Sequence, residues 1–505
     1  MAKTVPAGSP PKRRECPDRA HQLREPRPKT CYAADGATAS SDCPNNLADA
    51  QPIAVLMRHL LGPQPTTSPC ADPAGTVRRV EGAQHPAVAG VPGAPHRTTH
   101  EGRAHARTAY RKSIDRISDP ATAAPAGAVT TSYCFLSTYP PTQCGLARFT
   151  SALRRALTPP GGDDRASVVR IVDAKAFAPQ PDVVHQLRVS DPDGYHDAAA
   201  ALNGHDVVIL QHEYGIFGGW DGEAVLAVLD RVRVPVIAVL HTVLTTPTPH
   251  QRLVLERVVA AAGAVVTMSE TAHDRLLGGY DVDAAKLSVI PHGAADNPYR
   301  AAVDDRRRTI LTWGLLGPGK GIEWALVGLH ELRLLQPQPR YVVAGQTHPK
   351  VRARDGEAYR LGLVSRTRAL RLRDVVRFEP AYLDDQALHR LIGRADVVLL
   401  PYESHEQVTS GVLIEAVTAH KPVVSTAFPH AVELLSSGAG ILVPRRDGPA
   451  IGAALRRVLT EPGLAASMSA EAARLAPGLR WPAVADQYRS LARELLSGRA
   501  LVTGS

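Results

Sequence analysis

From residue 129 onward the chain alternates two hydrophobic patterns. Short unbroken runs of Val, Ile and Leu bounded by turn residues mark strands covered on both faces, and apolar residues returning every three or four positions mark helices with one covered face. The runs predict strands over 133–136, 168–172, 183–187, 207–213, 236–242, 264–269 and 287–293. Helical spacing joins Leu146, Phe149, Leu153 and Leu157 and recurs over 195–202, 222–232, 251–262 and 271–277. After a polar, basic stretch at 296–308 the alternation resumes with the run TILTW. It continues through a helix at 322–335, a strand from 341, a basic helix at 359–372, a strand from 375, a helix at 385–392 and strands at 397–400, from 423 and at 440–444, with helices at 411–419, 450–459 and 481–495. Strand and helix in strict turn imply an α/β chain with two parallel, doubly wound sheets.

In such sheets ligands sit beyond the carboxyl ends of the strands. His212 with Glu213, His241 with Thr242, and His292 with Gly293 all fall at such ends. The richest end follows 397–400, where a polar loop carrying Ser404, Glu406, Gln407, Thr409 and Ser410 leads into a helix opening at Gly411. The first amides of a helix lack internal partners and the dipole there is positive, so Gly411, Val412 and Leu413 are candidates for holding a phosphate. Glu415 lies one turn further in, placed to accept hydrogen bonds from a sugar diol. A second glycine turn, GLLGPGKG, follows TILTW; its spacing is not that of a P-loop, and it offers Gly319 and Lys320. A third, STYPPTQCG, precedes the first helix and offers the amides of Gly145 and Leu146.

These residues together resemble the group 1 (family 4) retaining glycosyltransferases, whose signature is a Glu, seven residues and a second Glu in such a loop and helix. Glu415 matches the second Glu; the first position falls on Gln407, with Glu406 beside it. The resemblance covers about 370 residues and implies the GT-B arrangement, two Rossmann-like domains facing a cleft. It implies domains at 128–300 for the acceptor and 301–480 for the nucleotide sugar, with a crossover helix at 481–505. It further implies that Glu415 holds the ribose, that His241 and the Glu406–Gln407 position touch the donor sugar, and that Lys320 clasps the diphosphate. The family's Arg beside that Lys is replaced by Leu315 or Leu316, with Arg445 a possible substitute. Phe378 and Glu379 would lie against the base, and His212 and Glu213 would face the acceptor. The implied activity is metal-independent transfer of a hexose, mannose or glucose, from a nucleotide sugar to a glycan, lipid or small-molecule acceptor with retention. No cofactor is implied. A nucleotide-sugar or glycan binder without turnover is the alternative, motivated by Gln407 and the missing Arg.

Composition narrows the picture further. With 44% hydrophobic and 21% charged residues, the chain as a whole is globular. Its formal charge of +9 suggests a nucleic-acid partner, but residues 1–127 hold 17 Lys and Arg against 11 Asp and Glu, leaving the rest close to balance. That segment is rich in Pro, Ala, Arg and Gly, and is expected to be a disordered tail because it cannot bury enough apolar area to offset chain entropy. Cys16, Cys31, Cys43 and Cys70 fall in it without metal-site spacing. No run is long enough to span a membrane, so a cytoplasmic protein, at most peripheral to the inner membrane face, is expected. Deleting residues 1–127 should leave transfer activity intact; an inactive, unfolded product in a turnover assay would show the segment to be required.

Overall fold

The computed structural model describes residues 130–173, 176–299 and 307–503. The tail expected over 1–127 and the greater part of the linker expected over 296–308 lie outside them. The first unit runs β1 (Ser132–Ser137), α1 (Gly145–Leu157), β2 (Arg165–Val172), β3 (Val183–Arg188), α2 (Gly194–Asn203), β4 (Val207–His212), α3 (Ala224–Leu229), β5 (Val236–Leu240), α4 (Pro249–Ala261), β6 (Ala264–Thr267), α5 (Glu270–Gly279) and β7 (Leu287–Val289). Its seven strands pair in parallel in the order β3-β2-β1-β4-β5-β6-β7.

The second unit runs β8 (Thr309–Trp313), α6 (Ile322–Gly328), β9 (Arg340–Ala344), α7 (Pro349–Asp355), α8 (Ala358–Ala369), β10 (Val376–Glu379), α9 (Asp385–Arg394), β11 (Val397–Leu400), α10 (Gly411–Thr418), β12 (Val423–Thr426), α11 (Pro429–Leu435), β13 (Gly440–Val443), α12 (Gly448–Thr460) and α13 (Leu464–Leu475). Six parallel strands are ordered β10-β9-β8-β11-β12-β13. Central strands such as β4 and β11 are buried along their whole length, which is why β11 reads as unbroken Val and Leu and β4 as Val, Ile and Leu up to Gln211. The last helix, α14 (Trp481–Thr503), returns to the first sheet. Its Val484, Ala485, Tyr488 and Ala492 share one buried cluster with Tyr133, Phe135 and Phe149. No helix among the described residues is long and apolar enough to cross a membrane.

The strand orders set the position of the site. Successive strands run outward on one side of β1 and on the other side of β4, and likewise about β8 and β11. At such a switch point the two connecting loops part and leave a crevice at the carboxyl ends. The loops after β1, β4, β8 and β11 are those in which the sequence pattern placed candidate chemistry.

Three helices, α7, α11 and α13, were not expected. The first buries only Val351, and the third buries only Met468, Ala472 and Leu475 in a segment rich in Ala and Ser, so neither shows a clear apolar stripe. The helix expected over 322–335 ends as α6 and continues as a tighter turn, Leu329–Leu332. The one expected over 222–232 shortens to α3.

The turn after β8 depends on Gly321. Its φ is +64°, and a methyl group built on it would overlap the Pro401 carbonyl oxygen at the end of β11, while Glu403 N–H donates to Gly319 O at 2.9 Å. Gly321→Ala should cost about 2 kcal/mol, seen as a drop of roughly 4–8 °C in the thermal midpoint. An unchanged midpoint would show that the turn relaxes away from β11.

Candidate active site

The cleft between the sheets encloses a cavity of about 1690 Å³. Gly145, Arg148 and Phe149 of α1, Glu213 after β4, His241 and Thr242 after β5, and His292 after β7 line it from the first unit. Trp313, Leu315, Gly319 and Lys320 after β8, Tyr382 after β10, and Gln407, Thr409, Gly411, Val412 and Glu415 line it from the second.

The amides at the start of α10 can be followed one by one. Ser410 N–H donates to His430 Nδ1 at 2.9 Å, and Leu413 N–H to the capping Ser410 Oγ at 3.3 Å. Ile414 N–H begins the helical ladder on Ser410 O. Gly411 and Val412 have no acceptor for their N–H groups among the described residues, and Thr409 Oγ1 is likewise unpartnered. Leu413, expected as a third phosphate donor, is thus committed and fully buried. Gly411 is required for a second reason: a Cβ there would lie 2.9 Å from His292 Nε2, so this residue lets the two units meet at the helix start.

Across the same cavity α1 repeats the arrangement. Cys144 Sγ caps it by accepting from Ala147 N–H, and Arg148 N–H donates to Cys144 O. The N–H groups of Gly145 and Leu146 find no acceptor among the described residues. Two helix starts therefore direct uncommitted amides into one space, each with the positive end of its dipole.

Lys320 adds a full charge. Its Nζ lies 4.3 Å from the centroid of the Tyr402 ring, and no carboxylate of the described residues pairs with it. Burial pushes its pKa down to about 8. Of the two residues that replace the family's Arg, Leu316 is buried and Leu315 lines the cleft. Arg445 does not substitute: its guanidinium donates to Ser404 O at 3.2 Å and Ala427 O at 2.6 Å, bracing the loop from behind.

Glu415 projects into the cleft with one oxygen fixed by Trp313 Nε1–H at 2.9 Å and the other 3.6 Å from Arg148 Nη2. Arg148 also pairs with Asp385 at 3.0 Å, and Arg155 reaches the same carboxylate at 3.6 Å. Gln407 lines the cavity, donating through Nε2 to Thr409 O at 3.1 Å. Glu406, though it borders the cavity, spends its carboxylate on the other unit. It accepts from Thr245 N–H at 2.9 Å and Thr245 Oγ1 at 2.7 Å, and pairs with Arg275 at 3.0 Å. Glu433 does the same at the start of α5, accepting from the N–H groups of Glu270 and Thr271 at 2.9 and 3.0 Å.

On the first unit, His241 shares a 2.6 Å hydrogen bond with Gln211 Oε1. Burial holds His241 down to about 3 and His292 to about 4, so both imidazoles are neutral near pH 7. Glu213 accepts from Thr242 Oγ1 at 2.6 Å, and its pKa is raised by burial.

Three expected residues are placed elsewhere. His212 is fully buried behind the cleft, stacked on Phe217 and edge-on to Tyr214, and does not line the cavity. Phe378 packs into the second unit's core beside Val376, and Glu379 pairs with Arg377 at 3.1 Å. The stretch that reaches the cavity lies just beyond them, at Ala381, Tyr382 and Leu383. Phe378 and Glu379 are the last two residues of β10 and still belong to the sheet, and only the following loop can bend over a ligand. Conversely Arg148, Trp313 and Asp385 were not anticipated. Arg148 reads in the sequence only as part of a basic helix flank, and its partners lie 237 and 267 residues away.

Comparison with known proteins agrees with this geometry. Residues 296–475 match the family described as Glycosyl transferases group 1. A D-inositol 3-phosphate glycosyltransferase of Kineococcus radiotolerans is 30% identical over 311 residues, covering 55% of this chain and 70% of that protein. Among solved structures, sucrose-phosphate synthase from Thermosynechococcus elongatus superposes with a TM-score of 0.58 at 18% identity, over 73% of this chain and 100% of the other. The HepE protein of Anabaena in complex with UDP gives 0.57 at 17% identity, over 72% and 100%. Two parallel sheets meeting at their switch points, with helix starts and a lone ammonium turned into the crevice between them, are the GT-B fold, and this chain belongs to the group 1 glycosyltransferases.

Proposed function

We propose that the enzyme moves a hexosyl group, mannose or glucose, from a nucleotide sugar to a hydroxyl of a glycan, lipid or small-molecule acceptor, with retention and without a metal. The observation that carries the reading is Lys320: a half-buried ammonium paired with no carboxylate of the described residues, sharing its cavity with the uncommitted amides of Gly411 and Val412. Such a constellation has its charge satisfied only by an anion, and a diphosphate fits both the charge and the number of donors. The Anabaena structure carries UDP, which is in keeping with a nucleotide-sugar donor here, and the Kineococcus relative is named a D-inositol 3-phosphate glycosyltransferase.

In this reading the bond from the anomeric carbon to the β-phosphate oxygen breaks, and negative charge builds on the leaving diphosphate. Donors already aimed at that charge lower the barrier more than they strengthen ground-state binding. The acceptor hydroxyl attacks from the same face, and its proton passes to the departing phosphate oxygen. Glu415 accepts from the ribose diol, with Trp313 fixing its rotamer. Neutral His241, oriented by Gln211, meets the donor sugar, and Gln407 occupies the position beside it. Glu213, held by Thr242, orients the acceptor. Tyr382 takes the place against the base once assigned to Phe378.

Glu415→Ala should weaken binding of a nucleoside diphosphate by roughly 1–3 kcal/mol in calorimetry. Lys320→Ala should lower turnover by roughly 2–4 kcal/mol of barrier, read as release of nucleoside diphosphate in the presence of acceptor. Binding of a nucleotide sugar without any such release by the native protein would favour the non-catalytic binder.

The depressed pKa of Lys320 supplies a sign. In the unliganded protein the amine begins to lose its proton near pH 8, and a bound diphosphate stabilises the charged form and raises that value. Nucleotide binding should therefore take up a proton above about pH 8, and affinity should fall as pH rises through that range. Calorimetry at pH 8.5 in buffers of different ionisation enthalpy checks this; equal apparent enthalpies would remove Lys320 from contact with the anion.

A further inference from the structure

The GPGKG turn supplies one cation where a departing diphosphate carries more charge than one ammonium can offset, and the residue beside it that faces the cleft is Leu315. The missing charge has to come from another element. Three guanidinium groups besides the committed Arg445 approach the cavity. Arg489 is bound to Asp164 at 3.1 Å and Asp486 at 2.6 Å and donates to the carbonyls of Ala156 and Leu157. Arg155 is largely exposed, 60% by side chain, at the rim. Arg148 remains, and it is the one that touches Glu415.

Resting on the nucleotide-sugar reading above, we infer that Arg148 supplies the second cation on the diphosphate, delivered across the cleft from the opposite unit, and that its ion pairs with Glu415 and Asp385 are the resting state before donor arrives.

The partners of Arg148 make such an exchange possible without leaving a carboxylate uncompensated. Asp385 is held by two arginines, so when Arg148 moves away Arg155 stays with it. Glu415 keeps the Trp313 Nε1–H bond on one oxygen and gains the ribose hydroxyls on the oxygen that Arg148 vacates. The side chain has room to move, with 34% of it exposed to the cavity. Its guanidinium already lies 3.6 Å from Glu415, one turn inside α10, and it borders the same cavity as Gly411 and Val412, whose amides are free. A guanidinium can contact two phosphate oxygens at once, which a leucine side chain at the usual position cannot. A further consequence is that donor binding ties the first unit to the second through the phosphates, so the cleft is fastened by the substrate it holds.

The test separates phosphate contact from a mere brace on Glu415. Affinities of the full chain for UDP and UMP, and for GDP and GMP, are measured by calorimetry for the native protein, Arg148→Ala, Arg148→Lys and Glu415→Ala, each first checked for an unchanged thermal midpoint. Arg148→Ala should weaken the diphosphate of the pair that binds by roughly 10- to 100-fold while changing the monophosphate by less than about threefold, the fold-change of one charged hydrogen bond. Arg148→Lys should recover part of that loss, because it retains charge in place of the fork. Glu415→Ala should weaken mono- and diphosphate alike. An unchanged ratio of diphosphate to monophosphate affinity in Arg148→Ala, or tighter binding of both, would mean the guanidinium only blocks or braces Glu415 and would overturn the inference alone. A native protein that binds none of the four nucleotides would overturn the nucleotide-sugar reading and the inference with it.

Discussion

The structure is arranged around a concentration of positive groups in one cavity, of which the ammonium is paired with no carboxylate of the described residues. Amides at the starts of α1 and α10 and the Lys320 ammonium all face one cavity, and the ammonium has no carboxylate of the described residues as partner. Left to itself this arrangement opposes folding, since burial of an unpaired ammonium favours its neutral form and drops the Lys320 pKa to about 8. It persists because each contributor is fixed by something else. Ser410 and His430 hold the α10 loop, Cys144 caps α1, and Gly321 seats the lysine turn on the end of β11. The surrounding buried sheets supply the stability that this arrangement lacks.

The two units are joined beside this cavity by carboxylates. Glu406 and Glu433 both belong to the second unit, and both accept from backbone amides of the first, at Thr245 and at the start of α5. A resemblance by sequence placed Glu406 next to the donor sugar. Three donors of the opposite unit, Thr245 N–H, Thr245 Oγ1–H and the Arg275 guanidinium, converge on its Oε2, so this carboxylate borders the cavity and joins the units at once. Gln407, its neutral neighbour, borders the cavity beside it. Within the motif one oxygen of Glu406 thus fastens the units, and the residue next to it carries no charge.

How much of this was legible in the sequence follows from the range of each interaction. The sheets were, because a strand covered on both faces reads as an apolar run, as β5 and β11 do throughout and β4 does up to Gln211. The helix start at Gly411 was, because a polar loop, a glycine and an apolar helix are neighbours in sequence. Helices without an apolar stripe were not: α13 packs through small residues such as Ala472, where burial leaves no mark on the pattern. Nor were the partners of Arg148, since the contact with Glu415 spans the two units and nothing local to either residue announces it. Phe378 and His212 show the opposite error. A residue beside a strand's carboxyl end looks like a ligand contact in one dimension, and whether it faces the crevice or the core depends on the pleat and on the loop that follows.

The histidines bear on how steadily such a site can work. Phe149 lies edge-on between His241 at 5.0 Å, His292 at 4.9 Å and Trp481 at 5.1 Å, so one ring packs the site's imidazoles against the helix that returns from the second unit. Dry packing of this kind is what depresses their pKa values to about 3 and 4. Because they stay neutral, the positive potential felt by a bound anion does not vary with their titration near pH 6.5, where exposed histidines would switch. Of the cations that border the cleft, Lys320 titrates near pH 8 and Arg148 stays charged throughout. These two imidazoles therefore take up protons only well below the range in which exposed histidines do, and their protonation there would set charge against the dry packing that joins the units.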